Sequence, residues 1–568
     1  MKKQPTDILY GVDDKPPPLI LFLSSLQVIA VTMPTMVYVV VLCRTVNAQP
    51  EVTTAVISFT ILAMGVGTAL QAFGRGVLGN GYLCPTHPTG GNLPPALLAA
   101  NLGGLPMVFG MTIFMGVFQM ALANVVHRLR PFFPPEIAGL VILLMGFNAT
   151  AIGIRLYMKS SPGGSPSMDA GVILALSLGT MIALNIWTRG TARALCALIG
   201  LAVGYGVAAS MGLVTAQDFT VFRHGGFVSI PQVRHIAFSF DAALAIPFMV
   251  VALAGSLKAI GVTTMCQKLN DADWVRPNLM SVRGGVFGEG LGTVISGALG
   301  GYALNVSPGG VAVSAASGVA SRYVGFAIGA LLGVGAFFPV ISAVLAAIPS
   351  PLMAASIAFT SCFLMAHGMQ AITSRMLDSR KIFVIGLAII GALVVEILPG
   401  LFKDVSPLIR PIFGSSMVFG TVLALLFNLL FRIGVKQRVE MVYDPGEDTF
   451  ETLDDFLDEQ GAKWGARRDI IERANFALHQ LTEAVTDHCQ VRAPIRIQAS
   501  FDEFSLDIAL SYQGDLLELP QQRPLDAEIR ESEDGLRRLA GFMLRRNADR
   551  AQAEMAGETA VIRFHFDH

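Results

Sequence analysis

Charge is scarce in this chain. Asp, Glu, Lys and Arg make up 14% of its 568 residues, against about 25% in soluble domains. Hydrophobic residues make up 53%, and the mean hydropathy is +0.59. That shortfall excludes an ordinary soluble globular protein. With apolar runs of about 20 residues recurring along the chain, it predicts a polytopic membrane protein. Cysteine is equally sparse. Cys43, Cys84, Cys196, Cys266, Cys362 and Cys489 lie far apart, mostly in or beside apolar runs, so neither a disulfide framework nor a zinc site is expected. The net charge of −1 leaves no basic excess; no nucleic-acid partner, cofactor or metal is expected, and no enzymatic activity. Nor is a cleavable signal peptide, because Met1–Pro18 is polar and ends in DDKPPP.

What charge there is lies unevenly. It is sparse up to about residue 435 and dense afterwards, as in RVEMVYDPGEDTFETLDDFLDEQ. The expected organisation is a membrane domain over 1–435, a linker over 436–464 and a soluble α/β domain over 465–568. Hydropathy predicts spans near 19–43, 52–72, 77–92, 104–126, 133–154, 169–188, 191–213, 239–262, 286–302, 304–320, 323–346, 351–370, 381–402 and 410–433. That makes fourteen in an all-α membrane part. With the N-terminus in the cytoplasm, eighteen Lys and Arg of the loops fall inside and seven outside, the asymmetry of a correct orientation. An even span count then leaves the soluble tail in the cytoplasm and the protein in the cytoplasmic membrane.

Two spans are irregular. The third is GRGVLGNGYLCPTHPTGGNLPP, Gly74 to Pro95; the tenth is GGYALNVSPGGVAVSAASGVASRY, Gly300 to Tyr323. They sit seven spans apart, which predicts two halves related as an inverted repeat. Backbone that cannot stay helical at membrane depth must face protein or water, because lipid satisfies no N–H or C=O group. Free amides and half-helix ends suit a polar ligand.

These segments resemble the nucleobase–ascorbate transporter family, also called uracil–xanthine permeases, over roughly 10–435. PPPLILFLSSLQ (Pro16–Gln27) resembles its opening segment and LGNGYLCP (Leu78–Pro85) its third-span strand. SLKAIGVTTMCQKLNDADWVRP (Ser256–Pro277), GEGLGTVISGALGG (Gly288–Gly301), NVSPGGVAVSAASGVASRY and PSPLMAASIAFTSCFLMAHG follow in the family's order. The resemblance implies a fourteen-span, seven-plus-seven fold with a core and a gate, short strands in the third and tenth spans, and a dimer in the lipid bilayer. It implies a purine or pyrimidine base bound between the third, eighth and tenth spans, with a proton as coupling ion. By position, the stacking aromatic falls on Tyr82 beside Gly81. The eighth-span carboxylate falls on Lys258 and the ionisable residue after it on Val262. The tenth-span amides fall on Gly309 and Gly310, flanked by Ser307, Pro308 and Asn305. Ser361 takes the twelfth-span position, and the first-span glutamine is Gln27.

The departures matter most. Both carboxylate-type ligands are missing, and one is replaced by a cation, whose insertion into a bilayer costs roughly 3 kcal/mol unless it is paired or wet. Lys258 therefore suits an anionic solute such as urate, or a substrate carbonyl; a lysine snorkelling from a helix end is the bland alternative. Of the few intramembrane acids, Asp241 and Glu289 are expected near span ends and Glu396 in a gate span. A symporter-type permease is the leading expectation. A transporter-like receptor signalling through the tail and a sulfate-type anion carrier are the alternatives.

In the tail, RRDIIERANFALHQLTEAVTDHC (Arg467–Cys489) is helix-like, with Ile470, Ile471, Phe476, Leu478, Leu481 and Val485 as its apolar face. APIRIQASFDEFSLDIALSYQGDLLELP alternates as two strands, EDGLRRLAGFMLRRNADRAQAE reads as a helix, and TAVIRFHFDH as a closing strand. This order resembles the histidine-kinase-like ATPase fold of anti-sigma-factor kinases. The family's magnesium-binding asparagine falls near Glu483 and its nucleotide-box aspartate near Tyr512, with Gly514 kept and the glycine lid reduced to Gly535. A degenerate regulatory module is expected rather than a working kinase.

Overall fold

The computed structural model describes the chain except residues 1–4, 6–7, 130–134, 159, 161–166, 190, 215–227, 273, 275–276, 374–376, 378, 399, 403–404, 407–409, 414, 432–436, 465, 467, 490, 493, 503–504, 525–532 and 568. Of the loop cations counted for orientation, Lys2, Lys3, Arg130, Lys159, Arg223, Arg276, Arg375, Lys403, Arg432 and Lys436 lie outside the described residues. The chain divides into two units, Met1–Asn428 and Leu429–His568.

The first unit is helical. α1 (Pro18–Thr32) continues through a tight turn into α2 (Val37–Thr45), and α3 (Pro50–Phe73) follows. A non-helical run then leads to β1 (Thr86–Pro88) and α4 (Leu93–Leu129). α4 breaks at Gly103 and Gly104, where Gly104 takes a φ of 64° and Pro106 follows; a left-handed glycine before a proline ends one helix and starts the next. α5 (Pro135–Met158), α6 (Met168–Trp187), α7 (Cys196–Ser210), α8 (Ala245–Leu269) and α9 (Leu279–Ala298) come next. β2 (Leu304–Val306) opens directly into α10 (Pro308–Ser317). α11 (Arg322–Gly335), α12 (Pro339–Ala346), α13 (Ser350–Ile372), α14 (Ser379–Ile397) and α15 (Ser416–Phe431) complete the unit.

Among the described residues, seven helices are long and apolar enough to cross a membrane. The count is eight if α11 and α12, bent by 84°, are one span; α7 and α15 are shorter apolar helices. These helices do not reach the fourteen spans expected from hydropathy. The third span, expected over 77–92, runs further. Its strand is Thr86–Pro88 rather than Leu78–Pro85, and its helical half continues past residue 92 to the break at Gly103.

Helices meet where glycine lets backbones touch. A Cβ on Gly65 of α3 would lie 2.8 Å from the Gly329 carbonyl of α11, and one on Gly116 of α4 would lie 2.5 Å from that of Gly290 on α9. In a bilayer such close approach substitutes for the hydrophobic drive that lipid removes.

The second unit is a five-stranded antiparallel sheet in the order β3-β4-β5-β7-β6, from β3 (Gln437–Tyr443), β4 (Ile495–Phe501), β5 (Ser505–Gln513), β6 (Arg550–Ala556) and β7 (Thr559–Asp567). Ile495, Ile497 and Ala499 turn to the core while Arg496 and Gln498 turn away, the alternation of a one-sided sheet. Helices α16 (Phe450–Trp464), α17 (Arg468–His488) and α18 (Glu533–Asn547) supply the rest of that core through Leu453, Leu457, Leu478, Leu481 and Leu544.

Three expectations change here. The stretch 436–464 is not a linker: β3 pairs with β4 along its whole length, and α16 buries Leu453 and Leu457. The helix expected through Glu554 stops at Asn547. Residues 550–556 form a strand that turns through Gly557, at φ 67°, into β7. Its Ala, Arg, Gln and Glu are good helix formers, so propensity masked an alternating pattern. Phe476 is 54% exposed; Ala474 and Ala477 hold the face of α17 in its place.

Candidate functional site

The two broken crossings meet. β1 and β2 pair antiparallel, with Thr86 opposite Val306, His87 opposite Asn305 and Pro88 opposite Leu304. Three residues a side make a short ladder, and buried side chains brace it. Thr86 Oγ1 donates to the Met64 carbonyl at 3.0 Å, and its N–H donates to Thr68 Oγ1 at 3.1 Å. Thr293 Oγ1 donates to the Leu304 carbonyl at 2.9 Å.

Glu289 holds β2 from outside the ladder. The Val306 N–H donates to its Oε2 at 2.8 Å, and Asn305 Nδ2 and Gln119 Nε2 donate to its Oε1 at 2.8 and 2.9 Å. The expectation that Glu289 sits near a span end is corrected: it is 1% exposed in the middle of α9. Asp241 does sit at a helix start, where its carboxylate caps the Ala243 N–H at 2.8 Å. Glu396 pairs with Arg155.

Asn305 is the amide that sequence left in the tenth crossing, and both its ends are engaged. Its Oδ1 accepts from Thr89 Oγ1 at 2.9 Å and from Asn92 Nδ2 at 2.8 Å, while its Nδ2 serves Glu289. α8 passes directly over this cluster. A Cβ on Gly255 would lie 2.4 Å from Asn305 Nδ2 and 3.0 Å from Glu289 Oε1, so any larger residue there would have to displace this hydrogen-bonded cluster. Lys258 follows one turn on, in the middle of α8 and half-buried. Its charge acts on Glu289, Cys84 and His87.

Ser307 caps α10, its Oγ accepting from the Gly310 N–H at 3.1 Å, and Pro308 is the first helical residue. A Cβ on Gly310 would meet Pro85 at 2.9 Å, so this residue seals the crossing. Gly309 has room for a Cβ instead: it would make ordinary contact with Val31 Cγ1 at 3.7 Å and Ser307 Oγ at 3.9 Å. Its amide belongs to the first turn of α10, where no carbonyl lies four residues back to receive it. Gln27, half-buried, lies one turn before Val31 on α1. Tyr82 is 4% exposed and packs with Ala259, Val262, Val306 and Val311. With Gly81 it lines a cavity of about 290 Å³ that also touches Asn80, Ser281 and Arg322. Ser361 is buried, its Oγ donating to the Ile357 carbonyl of its own helix at 2.8 Å.

The structure thus gathers Asn305, Ser307, Pro308, Gly309, Gly310 and Lys258 around the strand pair, with Tyr82 and Gly81 beside it. Sequence reasoning missed Glu289, Gln119 and His87. The signal for Glu289 was an acid inside a run of small residues, which a membrane tolerates only when paired. A bundle of apolar helices around two paired, half-unwound segments defines a multi-pass membrane protein of the permease class.

Comparison with known proteins names the family. The profile described as Permease family, Xan_ur_permease, matches residues 19–401, and the chain belongs to that family. It is similar to a protein of Clostridium perfringens named as a purine permease, 28% identical over 457 residues (78% of this chain and 98% of that one). It is also similar to the xanthine permease XanP of Escherichia coli K12, 24% identical over 75% of this chain and 95% of the other. The nucleobase transporter PlUacP of Paenibacillus larvae is 24% identical over 68% and 88%. Among solved structures it is similar to the transmembrane domain of the cyanobacterial bicarbonate transporter BicA, at a TM-score of 0.46 and 15% identity over 74% of this chain and 99% of that one.

Proposed function

We propose that this protein is a secondary active transporter of purine- or pyrimidine-type bases, or of a related anionic solute such as urate. The substrate lies between the third, eighth and tenth crossings, against Tyr82, Lys258 and the Gly309 amide. Relatives named as xanthine, purine and nucleobase permeases support the substrate class. The observation that carries the reading is the β1–β2 pair, which puts the open N-terminus of α10 beside α8 and its lysine. A flat solute with ring carbonyls matches donors of this kind. Lys258 in mid-helix favours a role in the site over snorkelling.

The reading takes the first unit as fourteen crossings in a seven-plus-seven inverted repeat, with both termini in the cytoplasm of a homodimer in the cytoplasmic membrane. The helix contacts support the repeat. α3 and α11 would be the second and eleventh crossings, α9 and α4 the ninth and fourth. Shifting by seven turns one packed pair into the other, and each pair has its own glycine contact. The coupling ion implied by the family is the proton. The tail, in this reading, is a histidine-kinase-like ATPase fold that has lost its nucleotide. In support, Tyr512 is 1% exposed, and its hydroxyl donates to the Asp515 carbonyl and accepts from the Leu517 N–H, so no carboxylate is there to bind adenine.

Uptake of labelled xanthine, urate and uracil into cells expressing the chain tests the reading. Accumulation of at least one, competed by the unlabelled compound, is the expected result. Binding without accumulation would make it a receptor instead.

A further inference from the structure

The crossing of the two strands carries a polar side chain with no assigned task. Successive residues of a strand point to opposite faces. Thr86 points to α3, where Met64 and Thr68 receive it. His87 therefore points the other way, on the face it shares with Asn305, its direct partner across the ladder. Asn305 is fully engaged with Glu289, Thr89 and Asn92. His87 is not. Its Nδ1 lies 3.4 Å from Thr35 Oγ1, while Nε2 is shut off from solvent and hydrogen-bonds to no atom of the described residues.

The tautomer follows from Thr35. That hydroxyl donates its own proton to the Thr32 carbonyl at 2.6 Å, so toward His87 it can only accept. Nδ1 is then the protonated nitrogen, and Nε2 presents a lone pair. A buried acceptor without a partner costs about 1–3 kcal/mol, and the ladder holds it in place.

We propose that His87 is a substrate-binding residue whose Nε2 accepts a hydrogen bond from a ring N–H of the transported base. The proposal rests on the nucleobase reading above and deepens it. Lys258, whose charge acts on this ring, would supply a donor beside that acceptor. That set is complementary to the lactam edge of an oxo-base, where a ring N–H is flanked by carbonyls.

The test is a competition panel of xanthine and its 1-, 3-, 7- and 9-methyl derivatives against labelled xanthine uptake, with membrane abundance measured alongside. In the wild type, methylation of the nitrogen that His87 reads should weaken competition roughly tenfold or more. In His87→Leu that one penalty should fall to within about threefold while the other methyl derivatives keep their ranking, since the lost contact is specific. Should His87→Leu fail to reach the membrane, Thr35→Val serves. It frees Nδ1 and lets the ring change tautomer, so the same penalty should narrow. Uniform weakening of every competitor, or an unchanged profile in both variants, overturns the assignment of His87. A wild type that neither takes up nor binds any base overturns the nucleobase reading itself, and the assignment with it.

Discussion

Glu289→Gln is the sharpest perturbation of the strand pair. Three N–H donors converge on this carboxylate, from Val306, Asn305 and Gln119. Glutamine keeps the volume but has one acceptor oxygen. If that oxygen stays with Asn305 and Gln119, the new NH2 faces the Val306 N–H, donor against donor. The loss is then one charge-assisted hydrogen bond, about 1.5–3 kcal/mol, plus a buried backbone donor left unsatisfied, about 1–3 kcal/mol. If the side chain flips, two amides are stranded instead. A ladder of three residues a side has little with which to absorb some 2.5–6 kcal/mol. The variant should therefore show a lower melting temperature in detergent and uptake reduced by roughly a hundredfold or more. Glu289→Asp should fall short of Val306 and recover only part. Wild-type uptake and melting in Glu289→Gln would refute the account, because the oxygen now ascribed to Val306 would then have no task.

Lys258→Ala and Tyr82→Ala should each abolish uptake at normal membrane abundance, read by transport and by surface quantification; unchanged transport in Lys258→Ala would return that lysine to snorkelling. Gly310→Ala should impair folding, since its Cβ would press on Pro85 at 2.9 Å, whereas Gly309→Ala should fold normally and raise the KM for uptake, its Cβ meeting nothing closer than 3.7 Å. Calorimetric titration of the full chain with Mg-ATP should show no binding, because the Tyr512 hydroxyl is committed to Asp515 and Leu517.

The fold was legible where apolar length and turn chemistry agree. Long runs such as Pro50–Phe73 and Ser350–Ile372 announce themselves, and Pro308 after an N-capping Ser307 marks a helix start at membrane depth. The strand at Thr86–Pro88 was displaced from its expected place because Gly79 and Gly81, at φ 73° and 82°, belong to a left-handed turn and not to a ladder. In the tail, β6 was hidden because Arg550, Gln552 and Glu554 favour helix locally and become strand only when β7 supplies the partner.

The site was half legible. Residue type finds Lys258 at once, since a cation inside an apolar run demands a reason. It cannot find Glu289 as the lysine's electrostatic neighbour, because they lie on different helices and meet only through the fold. Nor does it show that Asn305 is occupied and His87 is not, which depends on cross-strand register.

The Lys258 and Glu289 charges have a consequence for transport. They sum to zero, and a His87 that accepts at Nε2 adds nothing, so the unloaded site carries no net charge. A conformational change that moves such a site across the bilayer moves no charge through the field. A base carried in neutral form without a proton would then cross at a rate independent of membrane potential. A base carried as a monoanion would move one charge, worth about 2.3 kcal/mol per 100 mV, or roughly fiftyfold across that range. Uptake of xanthine and of urate into proteoliposomes clamped with potassium and valinomycin measures this directly. With the proton as coupling ion, uptake of the neutral base should move about one positive charge, and uptake of the monoanion none. Potential-independent uptake of the neutral base, with one charge for the anion, would mean that no ion travels with either, and the Lys258–Glu289 pair would then be a fixed, self-neutralising one and not part of a coupling site.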